Sequence, residues 1–148
     1  QVVVVKSSSG IKSLDDLAGK NVITQTDSAA QEVLEGDRAD LAATFAQLET
    51  IGDYNTAFMQ LESVADLDAV ACDLSIAQYQ MSAKPGVYTL LSDELSSEHY
   101  AVGVKKGNTE LAQKITDTLK AMDEDGTVKQ LCEKYADYGL SYENWILK

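Results

Sequence analysis

The seven residues Leu67-Asp68-Ala69-Val70-Ala71-Cys72-Asp73 constrain the fold more than any other stretch. They read as a short apolar strand that runs without a linker into a helical pattern, Leu74 to Met81. In an open α/β sheet, ligands bind beyond the carboxyl ends of the strands, and Asp73 stands at that position. A fixed negative charge there suits a cationic group on a small molecule. Asp is also a preferred helix N-cap, a role that needs no ligand.

The same alternation extends along the chain and predicts βαβ units in a mostly parallel sheet with helices on both faces. Expected strands are Gln1 to Val5, Asn21 to Thr24, Leu48 to Gly52, Asp68 to Cys72, Val87 to Leu91 and His99 to Val104. Expected helices run from about Ser28 to Glu35, Thr56 to Val64 and Leu74 to Met81. Ser13-Leu14-Asp15-Asp16 reads as a capping box opening a short helix that Gly19 stops. Further on, Leu111, Ile115, Leu119 and Met122 form an apolar helical stripe, ended by Gly126. Thr127 with Gln130 reads as a second capping box, and Val128, Leu131, Cys132 and Tyr135 as the apolar face of the last helix.

A chain of 148 residues with 24 acidic and 12 basic side chains carries a formal charge of -12. That charge argues against nucleic acid or an anionic membrane as partner, since both need basic surface. No apolar run approaches the roughly 18 residues of a membrane span. Cys72 and Cys132 match no metal or disulfide spacing and read as small buried hydrophobes.

Asp123-Glu124-Asp125-Gly126 suggests a calcium loop. With Gly126 sixth, however, Ala121 and Cys132 fall where the first and twelfth ligands belong. His99, the only histidine, has no nucleophile partner in a recognisable motif. No phosphate-loop or dinucleotide glycine pattern is present. The turn Gln25-Thr26-Asp27-Ser28-Ala29-Ala30-Gln31 is more informative, because it joins a strand to a helix. The free N–H groups of that helix's first turn, with its dipole, suit a carboxylate. Ser28 with Gln31 also makes a capping box, which is the structural alternative. An anion site and Asp73 at neighbouring strand ends suit a zwitterion, of which an α-amino acid is the simplest.

At this point the chain resembles the bacterial solute-binding proteins of amino-acid ABC transporters, family 3 type, with the type II periplasmic binding fold. The resemblance is carried by Gly10 to Lys20 with the turn after it, by Asp68-Ala69-Val70-Ala71-Cys72-Asp73, by His99 to Asn108, and by Leu111 to Tyr135 with Asp125-Gly126-Thr127. It implies that Asp73 binds the α-ammonium group. It also implies that the turn at Ser28 and Ala29 binds the carboxylate through backbone N–H and hydroxyl groups, that Gln25 shapes the side-chain pocket, and that Thr26 and Ala30 belong to the ligand-binding set. Asp27 stands where the family usually has Gly, and Ala29 where a hydroxyl usually helps hold the carboxylate. Residues 1–98 are expected to form the second, ligand-binding lobe with a hinge strand. Residues 99–148 are expected to supply a return hinge strand and C-terminal helices of the first lobe.

Nothing in the chain matches the family's aromatic wall and carboxylate-gripping arginine, so a fragment of such a protein is expected. The resemblance further implies an extracytoplasmic location (periplasmic or lipid-anchored), a membrane permease as partner, and neither cofactor nor metal. The C-terminal stripes predict self-association if they lack a surface to cover them. Two other readings share this architecture: an effector-binding module of the LysR-type regulators, and a dehydratase-type enzyme. An enzyme needs a perturbed acid or base in the cleft, for which only Asp73 and Asp27 are candidates.

Overall fold

Val2 to Val5 are four consecutive apolar residues, and all four are buried. Such a run fits a strand covered on both faces. The computed structural model describes residues 1–147 and places this run in β1 (Val2–Lys6). Alternate residues of β1 divide between two cores, as the two-residue period of a strand requires. Val2 and Val4 join one core with Ile23, Val70 and Phe58, while Val3 and Val5 join the other with Val22, Ala69 and Leu34.

After a 3-10 turn at Asp15–Leu17 come β2 (Asn21–Gln25), α1 (Ala29–Glu35), α2 (Ala39–Ala42) and β3 (Gln47–Ile51). These are followed by α3 (Tyr54–Ser63), β4 (Ala69–Cys72), α4 (Leu74–Ala83) and β5 (Tyr88–Leu90). The sheet order is β3-β2-β4-β1-β5. β2 is parallel to β3 and β4, whereas β1 is antiparallel to β4 and β5. Four of the five strands therefore share one direction and β1 alone is reversed. α3 and α4 cover one face and α1 the other, so the α/β class with a mixed, mostly parallel sheet and helices on both faces holds.

The chain divides into two compact units, Gln1–Glu98 and His99–Lys148. The second unit contains α5 (Thr109–Glu124), α6 (Thr127–Lys134) and 3-10 turns at Ala136–Tyr138 and Tyr142–Asn144. Asn108 caps α5 by accepting from the Leu111 N–H at 3.3 Å, and α5 packs against α6. Val128 is the one buried side chain among this unit's described residues. No described helix is long and apolar enough to cross a membrane.

Three expectations of local structure are corrected. His99 to Val104 forms no strand. A strand needs a neighbour for its N–H and C=O groups, and its own unit holds no other strand among the described residues. At Ser13 the expected helix is only a 3-10 turn with Leu14 in the cap position. Asp16 does reach back, accepting from the N–H groups of Lys12 at 2.9 Å and Ser13 at 3.0 Å, which lowers its carboxyl below the usual range. At Thr127 the expected box does not form, because Gly126 itself is the N-cap at φ +83°. The Thr127 N–H donates instead to Asp125 at 2.9 Å.

Candidate functional site

β2 and β4 are parallel neighbours, so their carboxyl ends lie on one edge of the sheet about 4.8 Å apart. β1 runs the other way with Val2 opposite Cys72, so its first residue lies on that edge as well. Topology thus gathers the turn after β2, Asp73 after β4, and Gln1.

Asp73 occupies the backbone position of an N-cap for α4, but its side chain makes no cap hydrogen bond. Its Oδ1 instead accepts from Gln1 Nε2 at 2.7 Å. The same nitrogen donates to Glu98 Oε1 at 3.1 Å. Gln1 is 5 % exposed, and its own Oε1 is buried and accepts no hydrogen bond. The capping role open to Asp73 in the sequence is therefore not the one its carboxylate performs.

Ser28 behaves in the opposite way. It is the N-cap of α1, and its Oγ accepts from the Gln31 N–H at 3.2 Å. Thr24 Oγ1 lies 3.2 Å from that oxygen and donates its only hydroxyl hydrogen to the Ala71 carbonyl at 2.9 Å. The hydrogen between the two hydroxyls must then come from Ser28, which leaves none of it for an anion. Gln31 does not complete the box on Ser28 but reaches one residue further back, where its Oε1 accepts from the Asp27 N–H at 2.8 Å. The Thr26 N–H donates to the Ile51 carbonyl at 2.9 Å and the Ser28 N–H to the Gln25 carbonyl at 3.3 Å. Helical bonding leaves the N–H groups of Ala29 and Ala30 without acceptors inside α1. Their side chains offer no chemistry: Ala29 is half-buried and Ala30 belongs to the core. Gln25, the last residue of β2, is half-buried opposite Ile51.

Asp27 adopts φ +57°, the left-handed region where glycine is favoured. A glycine would adopt this conformation without steric cost. Asp is one of the few other residues that tolerates it.

Tyr54, Gln1 and Glu98, none of them singled out from the sequence, belong to this edge. Tyr54 opens α3 directly after β3, capped by Asp53, whose carboxylate accepts from the Thr56 N–H at 2.9 Å. Tyr54 is 8 % exposed and its hydroxyl is buried near the Ser28 and Thr24 hydroxyls. Burial pushes the phenol up, the nearby Ser28 and Thr24 hydroxyls offset part of that, and the Asp73 charge adds to it. The Asp53-x-x-Thr56 cap was a usable signal that α3 starts two residues before Thr56. Gln1 gave no signal, because a strand read from sequence has no direction relative to its neighbours. Beneath the edge, burial and the Asp73 charge push the Cys72 thiol up to about 12, so it is inert as a nucleophile. No group of three or more His, Cys, Asp or Glu among the described residues could hold a metal.

A mixed α/β lobe with a polar edge gathered at parallel strand ends is the architecture of a small-molecule binding lobe. Residues 1–138 match the bacterial extracellular solute-binding proteins, family 3, and the chain belongs to that family. Members of that family are solute-binding proteins, not enzymes. The chain is 30% identical over 137 residues to the ABC transporter glutamine-binding protein GlnH of Bacillus subtilis, covering 91% of this chain and 47% of that protein. Among solved structures it is similar to an ancestral arginine-binding protein bound to glutamine: 32% identity, TM-score 0.74, 90% of this chain and 58% of the other. It is also similar to an ABC uptake transporter substrate-binding protein from Streptococcus pneumoniae with bound histidine. That pair shares 26% identity, with a TM-score of 0.79 and coverage of 90% of this chain and 56% of the other. These neighbours have the type II periplasmic binding fold. The chain spans about half the length of the relatives it matches.

Proposed function

We propose that residues 1–98 form the ligand-binding second lobe of the extracytoplasmic solute-binding component of an amino-acid ABC transporter, and that residues 99–148 belong to its first lobe. The solute is a small amino-acid-like zwitterion, passed to a membrane permease. Its α-ammonium group goes to Asp73 and its carboxylate to the N–H groups of Ala29 and Ala30. Thr26 and Ser28 shape that turn, and Gln25 faces the solute's side chain. The protein is periplasmic or held at the cell surface by a lipid.

The observation that carries this reading is the Asp73 carboxylate. It stands one strand away from the start of α1 and is free of the capping role its position allows. The relative named for binding glutamine, and the glutamine- and histidine-bound structures, support an amino acid as the solute class. Calorimetry with L-glutamine, L-arginine and L-histidine tests it. Binding of one of them should be lost in Asp73→Ala, and an unchanged affinity would return Asp73 to a structural role. A second reading concerns the C-terminal helices, where Leu111 is 43% exposed beside the half-buried Ile115 and Leu119. This exposed stripe supports self-association of the chain, and a monomer by sedimentation velocity would exclude it.

A further inference from the structure

Asp73 is not alone at the sheet edge. Both hydrogens of one Gln1 amide nitrogen are engaged, one by Asp73 at 2.7 Å and one by Glu98 at 3.1 Å. Two carboxylates therefore converge on a single nitrogen. Like charges this close favour a cation between them, and a neutral amide satisfies their hydrogen-bonding needs without their charge. The Gln1 side chain is held there at a cost. Its carbonyl oxygen is buried with no donor, the arrangement that folded proteins avoid. Turning the amide over would satisfy nothing, because the carbonyl would then face two carboxylates. A buried carbonyl without a donor beside a pair of acids describes a place shaped for a polar guest.

We propose that Asp73, Glu98 and Gln1 form a three-acceptor cage for a primary ammonium group, and that the Gln1 amide holds its place until the solute arrives. This rests on the assignment of the solute's ammonium to Asp73 and adds Glu98 and Gln1 as residues that select it. An R–NH3⁺ group brings three donors in a compact head. Two go to the carboxylates of Asp73 and Glu98. The incoming positive charge reverses the preference of the Gln1 amide, which turns so that Oε1 accepts the third hydrogen. The exchange gives the carbonyl a donor, while Nε2 gives up its two carboxylate acceptors to the cation. A flat guanidinium, with five donors in a fork, matches this three-acceptor arrangement poorly. The net charge of -12 draws cations of either kind towards the protein, so selection falls to the cage.

The test uses the full chain, with the Gln1 side-chain amide as reporter in ¹H–¹⁵N spectra. Methylammonium chloride should shift the Gln1 side-chain signals, whereas tetramethylammonium chloride, which has no N–H, should leave them in place. Glu98→Gln should suppress that response and weaken calorimetric binding of L-glutamine about tenfold, the scale of one hydrogen bond to a charged group. Equal responses to the two salts, or no response to methylammonium, would overturn the cage whatever happens to L-glutamine. Wild-type behaviour in Glu98→Gln towards both probes would also overturn it, while leaving Asp73 as the ammonium site. A methylammonium response without binding of any amino acid would keep the cage and reject the amino-acid solute.

Discussion

The two units of this chain use the same kind of helix and treat it differently. α3 in Gln1–Glu98 buries Ala57, Phe58 and Leu61 to 1 % exposure or less. α5 in His99–Lys148 is the more sharply two-faced helix, yet it contains no buried residue and leaves Leu111 43% exposed. The difference is the surface available. α3 lies on a sheet whose residues alternate between two covered faces, whereas among the described residues of its own unit α5 has only a short helix and two 3-10 turns to pack on. A stripe shows that a helix calls for a surface; it does not supply one.

The two cysteines give the sharpest test of this contrast. Cys72 is fully buried with its thiol pushed up to about 12, while Cys132 on α6 is half-buried. A thiol-specific reagent should label Cys132 at least about a hundredfold faster, since Cys72 reacts only when the first unit opens. Comparable rates by mass spectrometry would break the contrast. In the next test, core truncation should show the same asymmetry on a smaller scale. Phe58→Ala should cost about 3–5 kcal/mol in chemical denaturation, and Leu119→Ala less than about 1 kcal/mol. A large cost at Leu119 would mean that the stripe is covered in solution. The smallest effect lies inside the well-packed unit. Asp27→Ala should destabilise by about 1 kcal/mol relative to Asp27→Gly, because φ +57° suits glycine and penalises a Cβ that brings no local hydrogen bond.

Much of the first unit was legible because its signals are local. The strand Ala69–Cys72 and the helix that follows it without a linker could be read from seven residues, and Ser28 as the cap of α1 from a Ser-to-Gln spacing. Where reading failed, the missing information was non-local. His99 to Val104 has the composition of a strand, but pairing decides whether such a segment becomes one. Thr127 has the right partner three residues on, yet the left-handed Gly126 takes the cap first. The role of Asp73 was ambiguous for the same reason. As a cap or as a free carboxylate it looks identical in sequence, and a glutamine 72 positions away settles which hydrogen bond it makes.

By itself, the sequence determined the α/β class, the order of most elements and the placement of Asp73 and the Ser28 turn at strand ends. Apolar periodicity and caps act over a few residues, so no knowledge of the rest of the chain is needed. The tertiary structure alone decided the reversal of β1, the arrival of Gln1, Tyr54 and Glu98 around Asp73, and the commitment of the Ser28 hydroxyl to Thr24 and Gln31. Strand direction and side-chain pairing are set by which faces must be buried together. That is a property of the whole sheet, and no single segment encodes it.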